Sequence, residues 1–123
     1  FYISSHQSFA YPGTGLETHI GEGRGEGFTR NFLMMPESTD AYLLDIYGND
    51  IPPLVNAFDP DIIRVSAGYD LHESDPLATL NITTEGIRKM VRMILDYAKV
   101  PYVFFLEGGY HVDALGENVK VTL

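Results

Sequence analysis

The sequence predicts an α/β fold: three α/β/α layers around a mostly parallel sheet. Three observations predict it. Short β-rich runs alternate along the chain with helical patterns. Two of these runs, DIIRV and PYVFFL, lack the apolar/polar alternation of a half-exposed strand, as strands buried on both faces do. The residues able to do chemistry cluster just after strands, where ligands bind in open parallel sheets.

Each element has its own signal. FYISS (Phe1–Ser5) is β-rich and starts with no turn or cap before it, so it reads as a strand entered midway. Residues 7–27, with YPGTG and GEGRGEG, are too rich in Gly to pack and read as loop. FTRNFLM (Phe28–Met34) alternates in part and reads as a strand. After Pro36, the segment STDAYLLDIYGNDIPPLVNAF predicts a helix in two pieces, capped by Ser38 or Thr39. Ala41, Leu43, Leu44 and Tyr47 share one face of it. Gly48 and the Pro52–Pro53 pair are expected to interrupt it, and Leu54–Phe58 to continue it. Asp61–Val65 is the clearest strand, bounded by Pro60 and Gly68. Thr83–Ala98 is the clearest helix: Ile87, Met90, Val91 and Ile94 fall at helical spacing, with Thr83 as cap and Glu85 in the first turn. Pro101–Leu106 is a second buried strand ended by Gly108 and Gly109, and His111–Val119 starts another helix.

The totals narrow the function. The 123 residues fit one domain, and 45% hydrophobic residues suffice for a single core. Eight basic against seventeen acidic residues give a net charge of −9, which argues against a surface that tracks nucleic-acid phosphates. An acidic surface still attracts cations and cationic substrates. With no cysteine there is no disulfide framework and no thiolate metal site, so any metal would be held by oxygen and imidazole. No apolar run approaches the roughly 18 residues of a membrane span, and no basic segment leads into an apolar one. The expectation is a soluble, cytoplasmic chain with no membrane partner. The first residue is Phe1 rather than Met, so the chain reads as a piece of something longer or as a processed product.

Four stretches carry possible chemistry. SAGYDLHESDPLA (Ser66–Ala78) gathers Asp70, His72, Glu73 and Asp75 after a core strand. Such acids often cap a turn. If the backbone were extended, Asp70 and His72 would point the same way, and with Asp75 they would make a local divalent-metal triad. GEGRGEG lacks the Gly-Lys-Ser/Thr ending of a phosphate loop and carries two glutamates, so it reads as a connecting loop. In LEGGYH the glycines allow close backbone approach, and Tyr110 after them could donate a hydrogen bond to a developing oxyanion. YPGTG is a tight turn with Tyr11 at its shoulder.

Together, ISSHQ, YPGTG, GEGRGEG, SAGYDLHESDPL, NITTEG and LEGGY resemble, in order, blocks of the histone deacetylase superfamily, which includes the acetylpolyamine amidohydrolase and acetoin-utilisation proteins. The resemblance runs over nearly the whole chain and implies that residues 1–123 are the C-terminal portion of a deacetylase-like α/β domain. It implies a zinc-dependent amidohydrolase acting on acetylated amines of the acetyl-lysine or acetylpolyamine type. Asp75, before the proline of SDPL, matches a zinc ligand. Tyr110 matches the catalytic tyrosine that polarises the acetyl carbonyl. Tyr11 matches an aromatic of the acyl channel, Ile82 a rim residue, and Gly108 and Gly109 the channel floor. Ser4 and Ser5 match a segment that supports a potassium ion.

The pattern also departs from the family. Its Asp-x-His and His-Gly-Asn-Gly ligand blocks and its proton-handling His pair precede the strand matched by FYISS, and none of them is in these residues. Asp70-Leu71-His72 is an Asp-x-His in the wrong block, so Asp70 is read as structural and His72 as a loop residue. The chain is therefore expected to be incomplete and inactive alone, completed by a missing N-terminal half. The alternative is a non-catalytic half-domain that binds a partner or forms homo-oligomers.

Overall fold

The computed structural model describes residues 1–123. In chain order it runs β1 (Tyr2–Gln7), β2 (Thr29–Met34), α1 (Asp40–Asp45), a π-helical turn (Ile46–Asp50), α2 (Ile51–Phe58), β3 (Ile63–Ala67), α3 (Thr84–Asp96), β4 (Tyr102–Leu106) and α4 (Val112–Thr122). β1 pairs in parallel with β2, from Tyr2 opposite Thr29 to Gln7 opposite Met34. β3 pairs in parallel with β4, from Ile63 opposite Tyr102 to Ala67 opposite Leu106. The strands are parallel as expected, but they form two separate pairs rather than one sheet.

The helix after Pro36 is less broken than its sequence suggests. Gly48 lies inside the π-helical turn, whose wider winding keeps the chain helical. Pro52 and Pro53 sit in the first turn of α2, where a missing N–H leaves no hydrogen bond unmade. Thr39 takes the cap position of α1 without a side-chain bond, and the neighbouring Asp40 does something else. Its carboxylate accepts from Thr83 N at 2.8 Å and from the Thr83 hydroxyl at 2.7 Å. Thr83 in turn accepts from Gly86 N at 3.1 Å, the expected cap of α3. One acid thus ties the start of α1 to the start of α3.

The opposite ends are tied by two tyrosines. The Tyr97 hydroxyl donates to the Tyr47 carbonyl at 2.5 Å, and the Tyr47 hydroxyl bonds Ser5 Oγ at 2.9 Å. Burial pushes both phenols above their ordinary range. Between these ties Met34, Leu43, Ile46, Ile82, Ile87 and Val91 form the centre of the core. Ile3, Phe32, Ile63, Ala67 and Phe104 pack onto it from the strands.

The expectation that helices cover both sheet faces is not met within this chain. Arg64, Ser66, Val103 and Phe105 alternate with the packed residues of β3 and β4 and stay exposed. The Arg64 guanidinium lies 5.1 Å from the Phe105 ring centroid on that open face. A folded monomer of 13.7 kDa is expected to expose about 6,600 Å². This one exposes 7803 Å². The excess, roughly 1,200 Å², exceeds one side of a standard protein interface.

Candidate active site at the carboxyl ends of the strands

β3 ends at Ala67, and the chain then turns tightly. Pairing with the neighbouring strand persists past the strand ends, with Glu107 N donating to Ala67 O at 3.1 Å and Tyr69 N to Gly108 O at 2.9 Å. Gly68 and Gly108 face each other across this point with the Asp70 carboxylate against both: a β-carbon at Gly68 would lie 2.8 Å from Asp70 Oδ1, and one at Gly108 3.1 Å. Burial raises the Asp70 carboxyl above its ordinary range, with the Asp75 charge adding to the effect. Gly109 has φ +128°, and a side chain there would meet Tyr69 and Leu115, so the turn into Tyr110 needs glycine.

Asp75 joins the two loops. It is 8% exposed. Oδ1 accepts from Leu77 N at 2.9 Å and Ala78 N at 3.4 Å, an Asx-type turn that shapes the SDPL segment. Oδ2 accepts from Tyr110 N at 2.8 Å. The two residues assigned to chemistry, thirty-five positions apart in sequence, are therefore adjacent. The Tyr110 side chain is 57% exposed and lines the main cavity.

That cavity, about 1100 Å³, also takes in Tyr11, Gly108, Leu77, Asp70, His6 and Ser4. Tyr11 stands wholly exposed on the loop after β1. Ile82 is placed differently from its expected rim position. It is 0% exposed, enclosed in the core and bridged to His72, so within this chain it presents no surface to a channel. The hydrophobic effect claims an isoleucine at the foot of α3 for the core.

The local Asp70/His72/Asp75 triad does not form. The backbone from Tyr69 to Asp75 is turned, not extended, with His72 N donating to Tyr69 O and Asp75 N to His72 O. His72 is buried, accepts from Ser74 N at Nδ1 and bonds the Thr84 hydroxyl at Nε2, so both ring nitrogens are engaged. No three His, Cys, Asp or Glu side chains come together to hold a metal ion. For zinc, which takes three or four ligands, this chain offers one well-oriented carboxylate, Asp75. That fits a contribution to a shared site and does not make a site. Ser4 Oγ bonds His6 Nδ1 at 2.9 Å, and Ser5 Oγ bonds the Tyr47 hydroxyl. The Gly15 carbonyl can only accept, so His6 Nε2 donates to Gly15 O at 3.1 Å. The Ser4 oxygen then keeps lone pairs for a hard cation such as potassium.

Asn31 is not among the residues that the sequence motifs single out. It is 4% exposed on β2 and donates to Leu16 O at 3.1 Å and His19 O at 3.0 Å. With His6 on Gly15 O, it fixes the loop that carries Tyr11. Its neighbours Thr29 and Arg30 are polar too, so the strand pattern does not mark Asn31 out.

A family model described as the histone deacetylase domain matches residues 1–123. The chain is 43% identical over 123 residues to histone deacetylase 14, chloroplastic, of Arabidopsis thaliana, covering 97% of this chain and 29% of that protein. Among solved structures, the HDA15 HD domain superposes with TM-score 0.91 at 30% identity, over 98% of this chain and 36% of that one. The acetylpolyamine aminohydrolase from Burkholderia pseudomallei gives TM-score 0.89 at 29% identity, over the same shares. The chain spans about 30% of the length of the curated relatives it matches.

Proposed function

The chain belongs to the histone deacetylase domain family, and from that membership we propose that it forms one part of a zinc-dependent amidohydrolase that removes acetyl groups from acetylated amines. The observation that carries the reading is the bond from Tyr110 N to Asp75 Oδ2, which joins a buried carboxylate to the backbone of a residue whose phenol is exposed at the strand ends. A zinc ion bound there, in part by Asp75, would polarise an amide carbonyl and activate water. The residues of this chain do the positioning. Asp75 is oriented by three backbone N–H groups. Gly108 and Gly109 let the backbone turn so that the Tyr110 hydroxyl can donate to the oxygen that gains charge. Tyr11 and Leu77 present apolar surface to the acyl chain. The acidic balance of the chain favours cationic amines, such as acetylpolyamines or acetyl-lysine in a basic context. This chain supplies no proton-handling His pair, so it is inactive until the rest of the domain joins it.

The test is a chimera in which this chain replaces the matched residues of Arabidopsis histone deacetylase 14. It is expected to release acetate from an acetylated lysine peptide or an acetylpolyamine. Tyr110→Phe should cut kcat about 10²–10³-fold, the usual loss for one oxyanion donor. A Tyr110→Phe chimera as active as its parent would remove the assigned role.

A second reading, a non-catalytic half-domain that self-associates, draws on the surplus of exposed surface noted above. It predicts a stable dimer of the isolated chain in sedimentation, and a monomer at all concentrations tested would dismiss it.

A further inference from the structure

His72, from the Asp-x-His motif that holds no metal by itself, is 8% exposed, yet both of its ring nitrogens are bonded. A backbone N–H can only donate, so Nδ1 accepts from Ser74 N at 3.1 Å and carries no proton. The ring is therefore the neutral Nε2–H form, and Nε2 donates to Thr84 Oγ1 at 3.2 Å. The bond to Ser74 joins a side chain to the N–H two residues on, as in an Asx turn, but with imidazole as the acceptor. The His72 carbonyl accepts from Asp75 N at 2.8 Å. Asp75 Oδ1 then repeats the step on Leu77 N, again two residues on. Residues 72–77 thus form linked turns, and the turn made by His72 sets where the Asp75 turn begins. The far side of the ring is fixed from outside the loop. Thr84 opens α3 directly after its cap, Thr83. Asp40 holds Thr83 through its N–H and its hydroxyl, so this helix end is pinned to α1. Beside the ring, Glu73 N donates to Ile82 O at 2.9 Å.

We propose that His72 is a positioning residue for the Asp75 carboxylate: its ring shapes the turn that leads into Asp75 and ties that turn to the first residue of α3. The inference deepens the deacetylase reading and rests on it for the metal that Asp75 would meet. His72 itself touches neither metal nor substrate and acts only through Asp75. An apolar side chain would fill the same buried space, but it would give up the bonds to both Ser74 and Thr84. The orientation of Asp75 needs this care because its two oxygens serve two loops. Oδ1 closes the turn onto Leu77 N, and Oδ2 reaches Tyr110 N. A rotation of the turn before Asp75 therefore moves the carboxylate against the Tyr110 loop. A carboxylate that is to ligate a metal is held by such outer contacts, and removing them weakens the metal rather than the fold alone.

The ring is read first, on the isolated chain, with neither metal nor substrate. In nitrogen NMR of the histidine-labelled chain at neutral pH, the ring signal that disappears in His72→Asn is expected to be that of the Nε2–H form. An Nδ1–H form, or a mixture of the two, would overturn the proposal. The consequence is read on the chimera described above, by letting a chelator compete for zinc. Asn and Leu share one branched shape, but only Asn brings an oxygen that can accept from Ser74 N. His72→Leu is expected to weaken zinc binding about 10-fold, the lower end for a residue that orients a metal ligand. His72→Asn is expected to recover most of that loss. A role in packing alone predicts the opposite order, because a buried position suits the apolar side chain better. Zinc held as tightly by His72→Leu as by the parent, or no more tightly by His72→Asn than by His72→Leu, would overturn the proposal. Should His72→Leu not fold, His72→Asn decides alone, and a loss of about 10-fold or more against the parent would overturn it. A parent chimera that binds no zinc would instead overturn the deacetylase reading, while the ring signal still tests the turn.

Discussion

Asp75 does two jobs at once, and the substitution Asp75→Asn separates them. The carboxylate accepts from three backbone N–H groups in two different loops. An amide of the same shape must turn an NH₂ towards one of those donors. The expected loss is about 1.5–3 kcal/mol of stability, the range for hydrogen bonds to a charged group, read from the denaturant midpoint. An unchanged midpoint would mean that the acid does not brace the loops. Asn118 is the opposite case. It is 0% exposed on α4, and neither side-chain amide atom has a partner. An unmet buried polar group costs about 1–3 kcal/mol. Asn118→Leu, whose side chain has the same number and branching of heavy atoms, is therefore expected to raise the denaturant midpoint where the core takes up its larger methyls, and a lower midpoint for both Asn118→Leu and Asn118→Ala would contradict this. At this scale the sequence was partly legible. SDPL and GGY single out Asp75 and Tyr110 by resemblance, and the fold brings the two together. Asn31 and Asp40 were not legible, because their partners are backbone groups and a capping threonine that only the fold brings near.

Helix boundaries were the most legible elements, because capping is local chemistry. Thr83 caps α3 as its place before the apolar stripe suggests, and His111 Nδ1 accepts from Ala114 N at the start of α4. Between Asp40 and Phe58 the two expected helical pieces occur, joined by the π-helical turn that holds Gly48, with the prolines starting the second piece rather than breaking it. Proline breaks a helix only where an N–H is needed, and at the first turn of α2 none is. The tyrosine tie predicts a pH response. Both Tyr47 and Tyr97 titrate above their ordinary value near 10 in the folded chain, because burial disfavours the phenolate. The unfolded chain gives up these protons first. Stability is therefore full below about pH 10 and falls as the pH rises beyond it. In an alkaline titration, two phenols should ionise only together with unfolding. Tyr97→Phe should lower the stability at neutral pH by about 0.5–1.5 kcal/mol and soften the alkaline loss. Titration of every tyrosine below the unfolding transition would contradict the tie.

The whole molecule is where the sequence said least. Runs of apolar residues give strands but not their neighbours: DIIRV and PYVFFL pair with each other, yet nothing in either segment says that β1 stays apart from β3. Strand order depends on what else fills the sheet, and a sheet face or edge left open in one part of a fold has no local signature. The same holds for the site. Asp75 and the Tyr110 backbone meet within the chain, whereas no three His, Cys, Asp or Glu side chains gather in it to hold a metal ion. On the proposed function, this chain gives one ligand, Asp75, to a metal site completed by the rest of its domain. Bound zinc per chain, measured after dialysis against buffered zinc, tests it most directly. The isolated chain is expected to retain none. The chimera should retain about one, as a single three-ligand site would, and should lose it on Asp75→Ala. One zinc held by the isolated monomer, or zinc retained by the folded Asp75→Ala chimera, would contradict the claim.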